Sequence, residues 1–201
     1  RGPDGHRIHA GPDIGLVHTR LSLVDLNERS AQPFLDASGR YALVYNGELY
    51  DYAALRAELE AAGAVFRTTS DTEVLLEALL RLGVEQALQR IDGMYAFALY
   101  DAEERSLVLA RDRFGIKPLF VHEAGGRFLF GSSVEALRPW MDIAPDPVTV
   151  GAYLQGFNGP MSGRSFYAGI EILPPGTVLR IRAGGRSRRS QCLGLREFVD
   201  P

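Results

Sequence analysis

The sequence predicts an α+β fold, and three stretches carry the prediction. Residues 41–45 are apolar with β-branched and aromatic side chains, the composition of a strand buried on both faces. Residues 94–100 and 106–110 repeat that character and read as a strand pair joined through the acidic turn from Asp101 to Arg105. Between these strands, residues 53–62 place Leu55 and Leu59 four apart among Arg and Glu, the spacing of an amphipathic helix.

Composition narrows the class of protein. The chain has 201 residues, enough for one sizeable core or two small ones. It is 46% hydrophobic and 23% charged, which is ordinary for a soluble globular domain. A formal net charge of -3 gives no reason to expect a nucleic acid or an anionic membrane as partner. The single cysteine, Cys192, rules out an internal disulfide and fits a reducing, cytoplasmic compartment. No apolar run has the length of a membrane span, and no signal peptide is visible. The first residue is Arg1 rather than Met, so the sequence is expected to begin inside, or after processing of, a longer product.

Taken in order, Arg1-Gly2-Pro3-Asp4-Gly5 has the chemistry of a loop. Residues 14–23 are rich in strand formers and enclose Arg20. An arginine inside an apolar strand either reaches solvent, pairs with a structural carboxylate, or offers its planar fork to a substrate carboxylate. Residues 27–39 are a polar connection leading to the strand at 41–45. There Asn46-Gly47 is expected to turn the chain, since both residues tolerate φ > 0. The pair reads either as a tight hairpin turn or as an amide and a backbone N–H that hold a developing oxyanion.

Gly63 closes the helix over 53–62, and Ser70 with Glu73 forms a capping box at the head of a strongly helical run. Asp71 falls in the first turn of that helix, where the dipole favours a carboxylate with or without a ligand. A short helix follows at 84–91, then the strand pair. The dense charges of 111–117 read as a solvated loop or an internal ion-pair network. Strands at 120–123 and 127–130 flank Gly125-Gly126 as a hairpin, and Ser132-Ser133 caps a helix over 134–140. Beyond Met141 come a helix at 148–154, a Gly-rich loop, a final strand at 177–181, and a linker or exposed tail from Ala183 to Arg189 with three arginines.

Six of these segments together resemble class II glutamine amidotransferases, and most closely the glutaminase domain of glutamine-hydrolysing asparagine synthetases. They are Arg1-Gly2-Pro3-Asp4-Gly5, His18-Thr19-Arg20-Leu21-Ser22-Leu23-Val24-Asp25, Tyr45-Asn46-Gly47-Glu48-Leu49-Tyr50, Ser70-Asp71-Thr72-Glu73, Asp92-Gly93-Met94-Tyr95-Ala96-Phe97-Ala98, and the run from Arg111 to Leu119. They stand in the family's order over roughly the first 140 residues. The resemblance implies a four-layer αββα sandwich of the N-terminal-nucleophile hydrolase type, incomplete at its N-terminus. Residues 1–140 would be the amidotransferase domain, 141–182 an extension completing it, and 183–201 a linker towards a synthetase domain.

The resemblance also implies roles. Arg20 would clamp the carboxylate of L-glutamine, with Leu21 and Val24 lining the same strand end. Asn46 and Gly47 would form the oxyanion hole, and Glu48 and Asp71 would hold the substrate ammonium. The segment from Arg111 to Leu119 would be structural or face the second domain. No metal or cofactor is expected in this domain; ATP and Mg would belong to the synthetase domain alone.

The departure from the family lies at the start. The family's nucleophile is an N-terminal cysteine whose own amino group can serve as base, and the segment from Arg1 to Gly5 is expected downstream of it. Cys192 sits in no matching motif. The implied function is glutamine hydrolysis supplying ammonia for ATP-dependent amidation of aspartate or a similar carboxylate. The alternatives are a nucleophile-less glutamine-binding or structural module, and an amidotransferase for another acceptor.

Overall fold

A computed structural model describes residues 5–20, 28–157, 163–184 and 187–192. Its central element is an antiparallel sheet of six strands: β3 (Phe34–Leu35), β4 (Tyr41–Leu49), β5 (Gly93–Asp101), β6 (Ser106–Arg111), β10 (Thr177–Arg182) and β11 (Arg188–Gln191). The spatial order is β11-β10-β6-β5-β4-β3. β4 and β5 lie inside this sheet, and the layers packed above and below it cover both their faces. Leu43, Tyr45, Leu49, Tyr95 and Phe97 point to one core, while Ala42, Ala96 and Ala98 point to another. That two-sided burial explains their unbroken apolar runs.

The first core lies under three helices, α1 (Tyr52–Ala61), α2 (Asp71–Leu82) and α3 (Val84–Arg90). Leu55 and Leu59 of α1 and Val74, Leu75 and Leu79 of α2 fill it. On the opposite face sits a second layer of strands. The ribbon β1 (Gly5–Ala10) and β2 (Gly15–Arg20) contributes Leu16. A three-stranded sheet of β7 (Phe120–Ala124), β8 (Arg127–Gly131) and β9 (Glu171–Ile172) contributes Val121, with Phe128 and Phe130 packed alongside. The outer face of that sheet carries Phe120 and Leu129 against Val134, Leu137 and Ile170. Short 3-10 turns and α4 (Pro147–Leu154) lie in the same stretch of chain. Helices, sheet, sheet and short helical segments follow one another in the αββα order.

Several expectations are corrected. Asn46-Gly47 does not turn the chain: β4 continues to Leu49, paired with β5 as far as Gly93. Gly47 is required there for a different reason. A Cβ at this position would overlap the Met94 carbonyl oxygen and come 2.8 Å from Tyr95 Cα, so the glycine permits close backbone approach within the sheet. The turn comes later, and Asp51 precedes α1.

The capping box is one-sided. Ser70 Oγ accepts the Glu73 N–H at 3.4 Å, but the Glu73 carboxylate serves Thr68 N–H and Thr68 Oγ at 2.7 Å each. The helix expected over 134–140 is two 3-10 turns, Val134–Ala136 and Arg138–Trp140, because Pro139 opens the second without an N–H. The stretch expected as a tail beyond Ala183 contributes β11, an edge strand whose Arg189 pairs with Glu171 at 2.8 Å. The charged run after Arg111 is no open loop: Arg111 donates to the carbonyls of Gly115, Lys117 and Leu173 at 2.6–2.7 Å.

Candidate functional site

The hydrogen-bond pattern of β4 exposes one backbone donor. The Tyr50 N–H donates to Asp92 O at 2.9 Å and the Ala102 N–H to Arg40 O at 3.0 Å, in the same register as the β4–β5 pairing. Antiparallel ladders alternate, so the even-numbered residues of β4 bond β5 and the odd-numbered N–H groups point to the other edge. Along that edge, Leu43 faces β3. The Tyr45 N–H donates to Gln32 Oε1 at 2.5 Å, and the Leu49 N–H to Asp71 Oδ2 at 3.2 Å. The N–H of Gly47 falls between them, and no described residue accepts it.

Side chains alternate as the backbone does. Tyr45 and Leu49 enter the helix-side core, so Asn46 and Glu48 project from the opposite face, the one that carries Ala42 and Val44 towards the second sheet layer. Asn46 is half-buried and Glu48 exposed. The start of α2 brings Asp71 to this strand end: its Oδ2 accepts both the Leu49 N–H and the Tyr45 hydroxyl, the latter at 3.0 Å. Asp71 is buried, and burial pushes its carboxyl pKa up; the Leu49 N–H, Tyr45 hydroxyl and Thr72 N–H work against that, and the nearby Glu48 adds to it. Burial, then the Asp71 charge, drive the Tyr45 hydroxyl pKa far upward, so Tyr45 remains a neutral donor.

The arrangement therefore gathers an amide, an unoccupied N–H and two carboxylates at one strand end. Such a set can hold a developing oxyanion on one side and an ammonium on the other. Of the other expected residues, Arg20 closes β2 opposite Gly5, and its side chain lies outside what is described. Leu21 and Val24 lie outside the described residues altogether.

Sequence reasoning missed Gln32. Its Oε1 takes the Tyr45 N–H, and its Nε2 donates to Thr72 Oγ at 3.3 Å, tying the strand edge to the head of α2. A glutamine in a polar connection carries no local signal of such a role. Cys192, by contrast, is half-buried against the helix-side core, on the opposite face of the sheet from Asn46. Among the described residues, no three His, Cys, Asp or Glu side chains converge as a metal site. A cavity of about 180 Å³ beside β3, lined by Arg7, Arg29, Pro33, Phe34 and Arg67, contains none of the site residues.

Comparison with known proteins bears on this constellation. The glutamine amidotransferase domain family matches residues 1–191. The glutamine-hydrolysing asparagine synthetase 3 of Bacillus subtilis is 35% identical over 189 residues, covering 92% of this chain and 30% of the relative. Asparagine synthetase B of Escherichia coli, also glutamine-hydrolysing, is 38% identical over 168 residues, 83% of this chain and 29% of the relative. The chain thus spans about 30% of the length of these relatives. In structure it is similar to the glutamine phosphoribosylpyrophosphate amidotransferase of B. subtilis complexed with ADP and GMP. The TM-score is 0.64 at 23% identity, covering 89% of this chain and 34% of that one, a likeness of fold.

Proposed function

The chain belongs to the glutamine amidotransferase domain family, and from that premise we propose that its strand end binds L-glutamine and supplies ammonia to an asparagine-synthetase reaction. The observation that carries this reading is the Gly47 N–H, left without a described acceptor between Tyr45 and Leu49, with Asp71 fixed beside it. Arg20 clamps the α-carboxylate, with Leu21 and Val24 along the same segment. Glu48 and Asp71 receive the ammonium, and Asn46 with Gly47 receives the side-chain carbonyl oxygen. One guanidinium and two carboxylates held apart are what a zwitterion requires.

In the proposed reaction a thiolate from a part of the protein outside this sequence attacks the carboxamide carbon. The carbonyl oxygen becomes an oxyanion held by the Asn46 amide and the Gly47 N–H. Collapse expels ammonia, whose third proton comes from the nucleophile's own base, and leaves a thioester. Water then cleaves the thioester to glutamate and restores the thiol. The residues of this domain bind, orient and stabilise charge; no cofactor is needed for these steps. The ammonia passes to a synthetase domain that uses ATP and Mg to activate aspartate or a similar carboxylate. This work is assigned to the cytoplasm, and no helix among the described residues is long and apolar enough to cross a membrane.

Two measurements on the full-length protein test the reading. Arg20→Ala raises the glutamine KM about tenfold or more, the loss of a charged hydrogen bond to substrate, while activity with free ammonia persists. Equal losses with glutamine and with ammonia would make Arg20 structural.

Cys192→Ser, in turn, leaves glutamine hydrolysis within about twofold of the parent, because this thiol packs on the wrong face of the sheet to reach the oxyanion donors. Abolished hydrolysis, with the protein still folded, would make Cys192 the nucleophile and overturn the assignment.

A further inference from the structure

We propose that Tyr45 is a positioning residue for glutamine binding, and that Gln32 and Thr72 join it in one hydrogen-bonded chain setting the distance between the ammonium acceptor and the oxyanion donors. The inference rests on the glutamine-binding reading above and names residues that reading does not use. Tyr45 is 4% exposed, and its ring is packed into the helix-side core. Its hydroxyl nonetheless ends on Asp71 Oδ2 at 3.0 Å, where the Leu49 N–H also arrives at 3.2 Å. Two donors on one oxygen anchor the carboxylate at the strand edge, and its remaining lone pairs are available to a ligand ammonium beside the Thr72 N–H.

The same tyrosine carries the next link through its backbone. Its N–H is held by Gln32 Oε1, one step along the β4 edge from the Gly47 N–H. Gln32 Nε2 reaches Thr72 Oγ, the neighbour of Asp71 in the first turn of α2. Strand edge and helix start are thus tied three times, by the Tyr45 hydroxyl and the Leu49 N–H on Asp71 and by the Gln32 amide. These ties are independent of the β4–β5 ladder. A glutamine bound between Asp71 and Gly47 has its two ends gripped by groups whose separation these bonds set.

Charge makes the device legible in experiment. The titratable groups facing Asp71 are Tyr45 and Glu48 of β4, and those facing Tyr45 are Asp71, Glu48 and Tyr50. The Tyr45 hydroxyl favours the ionised form of Asp71, against burial. Removing it raises the Asp71 pKa further, so the carboxylate that grips the ammonium is lost at a higher pH on acidification.

The test uses the full-length protein with glutamine and with ammonia as nitrogen donors. Tyr45→Phe keeps the buried ring and removes only the hydroxyl. It is expected to raise the glutamine KM about fivefold to tenfold, with kcat within about twofold and ammonia-dependent activity unchanged. The acid limb of kcat/KM for glutamine should move to higher pH. A merely structural role would not move that limb. Thr72→Val, which removes the acceptor of Gln32 Nε2, should raise KM in the same way without moving the acid limb.

Asp71→Asn serves as the control for the underlying reading. If Asp71→Asn abolishes glutamine use while Tyr45→Phe leaves both KM and the acid limb in place, the positioning role is overturned and the binding site stands. If Asp71→Asn itself leaves glutamine KM unchanged, the glutamine-binding reading has failed first. A Tyr45→Phe protein that loses glutamine-dependent and ammonia-dependent activity together would also overturn the proposal.

Discussion

On the proposed glutaminase reading, replacing Asn46 with alanine should lower the kcat of the full-length protein with glutamine about a hundredfold or more, and leave the glutamine KM within a few-fold. The asymmetry follows from where the charge appears. In bound glutamine the side-chain carbonyl is neutral and its hydrogen bond to an amide exchanges for one with water at small net gain. In the proposed tetrahedral intermediate the same oxygen is anionic, and a preoriented donor is worth about 2.7–4 kcal/mol. Asn46 sits mid-strand, paired with Ala96 on β5, so its amide is aimed by the ladder rather than by a mobile turn. The Gly47 N–H survives the substitution and sustains residual hydrolysis. Ammonia-dependent synthesis should be unaffected. A variant in which KM alone rises would place Asn46 in ground-state binding and remove it from the oxyanion hole.

How much of this was legible beforehand depended on burial. The strands at 41–45, 94–100 and 106–110 announced themselves because β4, β5 and β6 lie within the sheet and are apolar on both faces. The helices α1 and α2 were legible through Leu55, Leu59 and the Ser70 cap. The strands that escaped were β1, β3, β9 and β11. The first and last are mostly exposed, and β3 and β9 have two residues each, so neither alternation nor an apolar run marks them. Such edge strands are specified by the partner they pair with, which is tertiary information.

The candidate site divides along the same line. Asn46, Gly47 and Glu48 are contiguous, so their shared chemistry could be read as a unit, although the backbone they occupy is strand rather than turn. Asp71 was explicable as an N-terminal helix residue, and nothing local indicated that it reaches the Leu49 N–H and the Tyr45 hydroxyl. Gln32 bonds residues 13 and 40 positions away, a relation no window of sequence displays. Gly47 illustrates the converse: it stands out in the sequence, but its cause is the Met94 carbonyl on the neighbouring strand rather than its own φ.

The second large effect concerns stability. Asp112→Ala should destabilise the protein by about 3–4 kcal/mol, above the usual range of about 0.5–3 kcal/mol for a point mutation. Asp112 is 1% exposed, and its carboxylate gathers the backbone of the turn after β6. Oδ1 accepts the N–H groups of Phe114 and Ile116 at 3.0 and 2.9 Å, and Oδ2 those of Lys117 and Tyr95 at 3.0 and 3.3 Å. Alanine leaves four backbone donors without an acceptor, each worth about 1–3 kcal/mol when dry. Water reaches some of them, since Phe114 and Ile116 are themselves exposed, and this brings the total down. The loss spreads further, because Arg111 is buried with its guanidinium spent on the carbonyls of Gly115, Lys117 and Leu173, and two of those belong to the same turn. In a domain of this size each kcal/mol lowers the Tm about 2–4 °C, so thermal unfolding should fall by about 6–16 °C. Asp112→Asn, which keeps one acceptor oxygen but turns a donor towards two N–H groups, should fall between wild type and alanine. A loss of less than about 1 kcal/mol for Asp112→Ala would mean that the turn is held by its backbone bonds alone, and that the carboxylate is there for something outside this domain.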